Sequence, residues 1–170
     1  MDGYNILNAW PELALLKEED LAHARERLVT ILSEFHALSG IRVILVFDAH
    51  QVEGGTERRE ECEGIEVIFT REGETADQWI ERFVAQRRIH PQREALPLFV
   101  ATSDWLEQRI VSAQGACRIT PSELRREIQR LKKERKELLR ESFDCVPLDN
   151  HLPEQMKRIF EGWRRRKFKE

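Results

Sequence analysis

From residue 21 onward, apolar residues recur at three- and four-residue steps through Leu21, Ala24, Leu28, Ile31, Leu32, Phe35 and Leu38. This predicts a helix over residues 19–38, stopped by Ser39-Gly40. The pattern then changes to a nearly continuous β-branched run at 41–47, as in a strand buried on both faces of a parallel sheet. Residues 48–64 are polar and predict a long loop with a short helix around 56–61, before a second strand at 65–69. After a turn at 70–74, Thr75 opens a helix to about residue 89 that turns Ile80, Phe83 and Val84 inward. A linker at 91–94 leads to a third strand at 96–101, with Pro97 at its beginning, where a missing backbone donor is tolerated. Ser103 opens a helix to about residue 113, ended by Gly115, and 116–119 form a short last strand. Thr120-Pro-Ser-Glu123 is a capping box with proline at the first helical position. It starts a helix to about residue 141 with the stripe Leu124, Ile128, Leu131 and Leu138, and a final helix covers 153–165.

Strands alternating with helices imply right-handed crossovers and a mainly parallel sheet, an α/β fold. Such a sheet usually begins on a buried strand, but only Met1 precedes Asp2-Gly-Tyr-Asn5 here. The expectation is a truncated first strand, with Asp2 on a fraying end.

A length of 170 residues with 41% apolar and 35% charged content fits one domain with a real core. The apolar run at 41–47 is far shorter than the roughly 20 residues of a bilayer span. With no secretory leader, the expected location is the cytoplasm, away from membranes. Cys62, Cys117 and Cys145 are scattered and odd in number, which excludes a disulfide scaffold and argues against zinc. The net charge of −3 conceals an asymmetry. Residues 1–117 carry 12 Lys/Arg against 21 Asp/Glu, whereas 118–170 carry 16 against 10. Such a distribution suits a cation at one end and an anionic partner at the other; a salt-bridged helical surface would also produce it.

Four aspartates fall at or just beyond predicted strand ends: Asp2 in the first loop, Asp48 after the first long strand, Asp77 in the following helix's first turn, and Asp104 after the third strand. Ligands of open parallel sheets bind outside the carboxyl ends of the strands. Carboxylates gathered there raise one another's pKa unless a cation intervenes, and hard oxygen ligands select Mg²⁺ or Mn²⁺. The ordinary alternative is that Asp77 and Asp104 complement helix dipoles, each for about 0.3–1 kcal/mol, and that Thr75 and Ser103 are plain N-caps. Spacing alone leaves both readings open.

Asp2-Gly-Tyr-Asn5, Val46-Phe-Asp-Ala49, Phe69-Thr-Arg-Glu-Gly-Glu-Thr-Ala-Asp77, Ala101-Thr-Ser-Asp104 and Gly115-Ala-Cys-Arg-Ile-Thr-Pro-Ser-Glu-Leu124 occur in that order. Over residues 2–124 the chain resembles the YacP-like branch of the NYN domains, relatives of the PIN-like nucleases. The resemblance implies a three-layer α/β/α PIN-like fold in a single nuclease domain spanning 1–170, with a basic helical section at about 121–170. It also implies a divalent-metal-dependent endoribonuclease like the ribosome-associated factor that cuts mRNA in the ribosomal A site. Asp2, Asp48, Asp77 and Asp104 would then hold Mg²⁺ or Mn²⁺. Asn5 would orient a water or phosphate oxygen, and Thr75 and Ser103 would brace the neighbouring loops.

The basic section supplies Arg125, Arg126, Arg130 and Lys133 on a helix, and Arg164, Arg165, Arg166 and Lys167 in the tail beside Trp163 and Phe168. Cations neutralise phosphates and aromatics stack on unpaired bases, so these residues are the expected contacts for RNA or the ribosome. The expectation is a cytoplasmic enzyme cutting single-stranded RNA, mRNA on the translating ribosome, by water attack. Two other readings remain: a non-catalytic RNA- or ribosome-binding factor with an inert acidic pocket, and a phosphatase of small molecules.

Overall fold

The computed structural model describes residues 1–48, 55–89, 97–104, 112–113 and 115–143. The chain falls into two compact units, Met1–Lys132 and Lys133–Glu170. The first carries the sheet. Of the second, the described part is helical, ending at Phe143.

Three helices come first: α1 (Gly3–Ala9), α2 (Pro11–Glu19) and α3 (Leu21–Ser39). Asp20 starts α3 by accepting the N–H groups of Ala22 (2.8 Å) and His23 (3.1 Å), two of the donors that a helix start leaves unpaired. Gly40 ends it in the left-handed conformation, φ 68°, with its N–H on the His36 carbonyl. The strands are β1 (Ile44–Phe47), β2 (Arg58–Cys62), β3 (Ile65–Phe69), β4 (Phe99–Ala101) and β5 (Cys117–Ile119). Helix α4 (Ala76–Ile89) precedes β4, and α5 (Pro121–Phe143) follows β5.

Side-chain alternation along the strands divides the core in two. Leu45, Phe47, Ile65 and Val67 pack with Ile6 and Leu7 of α1, Leu13 of α2 and Leu28 and Leu32 of α3. Val46, Ile68 and Val100 pack on the opposite face with Trp79, Ile80 and Val84 of α4. Helices therefore cover both faces, giving the three-layer α/β/α arrangement, and each large buried side chain stabilises it by about 1.5–3 kcal/mol. The Thr120–Glu123 capping box forms as the sequence predicts: Glu123 accepts from the Thr120 N–H (2.7 Å) and hydroxyl (2.8 Å), while Thr120 Oγ1 accepts the Glu123 N–H (3.2 Å). Trp10 Nε1 donates to the Pro121 carbonyl at 2.9 Å, tying the start of α5 to the α1–α2 junction.

β1 pairs parallel with β3, and β4 pairs parallel with β5. Two residues join these groups. The Met1 amino group donates to the Ile44 carbonyl (2.9 Å), Val46 N–H to the Met1 carbonyl (2.9 Å), and Asp2 N–H to the Ala101 carbonyl (3.4 Å). Asp2 also forms a parallel bridge with Val46. Met1–Asp2 thus serves as the central strand between β1 and β4. The expected fraying end is corrected: Asp2 is 9% exposed and bonded on both sides.

The short helix expected around 56–61 is also overturned. Residues 58–61 belong to β2, which pairs antiparallel with β3 in the register Arg59↔Ile68 and Cys62↔Ile65. Glu63 (φ 51°) and Gly64 (φ 84°) both adopt positive φ, as the tight hairpin turn requires. Its polar residues suit an edge strand, whose charged side chains discourage pairing with other chains. The linker at 91–94 and the final helix at 153–165 lie outside the described residues, as do 105–111 of the helix expected after Ser103.

Gly3 begins α1 with its Cα against the Phe47 ring, where an added Cβ would overlap the ring carbons. Gly3→Ala is predicted to destabilise the fold by about 1–3 kcal/mol through overpacking. Urea unfolding with an unchanged m-value tests this; unaltered stability would show that the ring yields freely.

Candidate active site

The carboxyl ends of β1, β3 and β4 and of the Met1–Asp2 segment meet at one rim of the sheet. Asp2 occupies the middle. Its carboxylate caps α1 by accepting the Asn5 N–H at 3.1 Å. Burial raises its pKa above the ordinary 3.8, and the nearby negative charge of Asp48 adds to that rise. The Asn5 N–H and the Met1 amino group act in the opposite direction without cancelling it.

Asp48 follows β1 directly and accepts the N–H of Ala76, the first residue of α4, through Oδ1. Its charge therefore sits at the positive end of that helix. Thr75 and Gln78 complete the helix start reciprocally, each backbone N–H on the other's side-chain oxygen at 3.2 Å. Thr75 is thus tied to the first turn of α4. Asp77 lies half-buried in the first turn of α4, with its Oδ1 enclosed. Behind this turn Thr70 Oγ1 donates to the Glu74 carbonyl at 2.6 Å, and the buried Glu74 carboxylate holds Arg82 and Arg71.

On the other flank, Asn5 is a staple between α1 and the loop after β4. Its amide nitrogen donates to Thr102 Oγ1 at 3.2 Å, and its Oδ1 accepts the Ser103 N–H (3.2 Å) and hydroxyl. Thr102 Oγ1 also accepts the Asp104 N–H at 3.1 Å. Both polar ends of the Asn5 side chain are thus occupied by protein. Ser103 contacts Asn5 through both its N–H and its hydroxyl, and Asp104 is exposed just beyond it.

The structure brings Asp2 and Asp48 within electrostatic reach and places Asp77 on the helix that Asp48 caps. Among the described residues, no three His, Cys, Asp or Glu side chains are grouped closely enough to hold a metal. Still, a carboxylate whose burial raises its pKa, with a second negative charge adding to that rise, is chemically suited to a hard divalent cation, which would relieve the cost of its charge. Thr102, fully buried, was missed in the sequence although it links Asn5 to Asp104. Its signal was its place directly after a strand, within Ala101-Thr-Ser-Asp104.

Of the basic positions, Arg125 pairs with Glu12 of α2 (2.8 Å), Arg130 with Glu127 (2.5 Å) and Lys133 with Glu137 (3.8 Å). Arg126 is exposed. Arg164, Arg165, Arg166 and Lys167 lie outside the described residues.

A carboxylate whose folded-state pKa is raised is easier to protonate when folded than when unfolded. Its contribution is complete below the unfolded pKa and is lost as pH rises through the folded one. Asp2→Asn keeps the cap acceptor and removes the buried charge. In chelator-containing buffer the variant should melt above wild type at pH 7, and the gap should close as pH falls towards 4. An Asn variant that melts lower at pH 7 would contradict the burial argument.

The family model of the YacP-like NYN domain matches residues 1–165 of this chain. The chain is 39% identical over 167 residues to the uncharacterized protein YacP of Bacillus subtilis strain 168, covering 97% of this chain and 95% of that protein. A crystal structure of Rae1 (YacP) from Bacillus subtilis superposes with a TM-score of 0.67 at 39% identity, over 96% of this chain and 92% of that one. A point variant of the same protein superposes with a TM-score of 0.69 at 36% identity, over 86% and 82% of the two chains. With its length matched almost throughout, this chain belongs to the YacP-like NYN domain family.

Proposed function

We propose that this protein is a cytoplasmic, divalent-metal-dependent endoribonuclease that hydrolyses single-stranded RNA, with mRNA on the translating ribosome as its substrate. Its family gives it a nuclease-type role. No helix among the described residues is long and apolar enough to cross a membrane. The observation that carries the finer reading is the Asp2 carboxylate, buried at the carboxyl rim beside Asp48.

Asp2, Asp48, Asp77 and Asp104 would hold Mg²⁺ or Mn²⁺. When bound, the ion would make water more acidic and offset negative charge on the scissile phosphodiester. The protein's own contribution is positional. Asp48 fixes the start of α4 and with it Asp77, whereas Asn5 locks the Thr102–Asp104 loop against α1. Asn5 is therefore a positioning residue. Attack of a water oxygen on phosphorus with cleavage of the P–O3′ bond leaves a 5′-phosphate and a 3′-hydroxyl. Arg125, Arg126, Arg130 and Lys133, with tail residues 164–167, would hold the RNA backbone.

One observation favours a second reading, a non-catalytic RNA- or ribosome-binding factor: the absence, among the described residues, of three acidic side chains close enough to hold a metal.

The test is cleavage of labelled single-stranded RNA, and of mRNA on translating ribosomes, with Mn²⁺ and with chelator. Wild type should cut only with the metal, and Asp2→Asn and Asp77→Asn should each lower the rate by about 10²-fold or more. Activity surviving both substitutions would refute the site. Ribosome binding without cleavage of either substrate would establish the non-catalytic factor.

A further inference from the structure

Around the buried ring of Phe47, the residue before Asp48, gather two further aromatic rings and three cations. Tyr4 of α1 meets Phe47 of β1 edge-on, with centroids 5.3 Å apart, and Phe47 stacks on Phe69 of β3 at 5.7 Å. Arg25 of α3 lies over all three rings, its guanidinium carbon 5.2 Å from the Tyr4 centroid, 5.5 Å from Phe47 and 6.0 Å from Phe69. It also donates to the Tyr4 hydroxyl. Arg58 of β2 covers Phe69 at 4.6 Å, and Lys17 of α2 approaches Tyr4 at 5.9 Å.

This cluster joins the acidic rim through the backbone. Phe47 immediately precedes Asp48, and Tyr4 lies two residues after Asp2. A capping role over the rings would explain Arg25's stacking but not its charge. Arg25 is half-buried, its Nε is enclosed without a hydrogen-bond partner, and it makes no ion pair with any described residue. A partly desolvated guanidinium with no carboxylate is costly unless an anion completes it. The adjacent rim is itself acidic and repels a polyanion, so a strand crossing it needs positive charge on a flank.

We propose that this cluster is a nucleotide subsite: Arg25 takes a backbone phosphate of single-stranded RNA next to the Asp2–Asp48 pair, and the Arg58 guanidinium, backed by Phe69, stacks on a neighbouring base. Guanidinium planes serve both purposes, as forked phosphate donors and as flat surfaces for unpaired bases. The subsite rests on the ribonuclease reading of the acidic pair and gives the strand a fixed side of approach. Around Asn5 the chain offers hydrogen-bonded Thr102 and Ser103 with the Asp104 carboxylate just beyond, whereas the ring cluster carries Arg25, which has no ion pair with a described residue, and Arg58, whose Nε meets Glu60 at 2.8 Å.

The experiment measures binding of a fluorescent RNA hexanucleotide in chelator and its cleavage with Mn²⁺, for wild type, Arg25→Met and Arg58→Gln. Arg25→Met should raise Kd and KM about tenfold, change kcat by less than about twofold, and make the dependence of log Kd on log salt shallower by about one unit. Arg58→Gln should raise Kd by about threefold or more with a smaller change in salt dependence. Unchanged Kd and salt slope in both variants, at preserved melting temperatures, would overturn the subsite and leave the arginines as caps over the rings. Should Arg25→Met fail to fold, the exposed Arg58 decides, and an unchanged Kd in Arg58→Gln overturns the proposal. Absence of cleavage by wild type would remove the nuclease reading alone, because binding in chelator still judges the subsite.

Discussion

Everything at the rim follows from two residues held between two strands. Met1 and Asp2 bond to Ile44 and Val46 on one side and to Ala101 on the other. The backbone of Asp2 is thereby fixed in the middle of the sheet, and its carboxylate is carried out of water. The chain turns directly from this segment into α1, whose first residue must be small because the Phe47 ring occupies the space of a side chain. One short segment therefore sets the depth of the acid, the origin of α1, and the side to which each α1 residue points.

The electrostatic consequence is a rim of three zones. Asp2 and Asp48 form a negative centre whose cost appears as the raised pKa of Asp2. Asn5, Thr102 and Ser103 close one flank with neutral hydrogen bonds. Tyr4, Arg25, Phe47, Phe69 and Arg58 form a third group, aromatic and bearing two guanidinium groups, that begins at the residue before Asp48. A polyanion meeting a divalent ion at the centre would find positive charge at Arg25 and a hydrogen-bonded, negatively charged edge at Asn5, Thr102, Ser103 and Asp104.

Much of this architecture is legible in the sequence where burial is periodic. α3, β3, α4 and the start of α5 follow apolar spacing, cap residues and a proline at the first helical position, because their stability comes from one buried face and satisfied ends. β2 was illegible for the opposite reason. As a polar edge strand it buries little, and its identity comes from pairing with β3 and from the Glu63-Gly64 turn. The central segment was misjudged because two residues carry no periodicity; their backbone hydrogen bonds to distant strands hold them in place. Asn5 was recognised as important, but the sequence could not show that Thr102 and Ser103 engage its amide, since those contacts span more than 95 positions. Arg25 was hidden within a helix face that reads as ordinary amphipathic surface.

On this account the buried charge of Asp2 is costly without a metal and is relieved by a divalent cation held together with Asp48. Melting wild type and Asp48→Asn across a Mn²⁺ titration addresses it directly, since a ligand that binds the folded state raises stability by about 2.7 kcal/mol at a hundred times its Kd. A saturable rise in the melting temperature of wild type that is lost in Asp48→Asn is the predicted result. A wild-type melting temperature indifferent to manganese, or one that rises equally in the variant, would contradict the account.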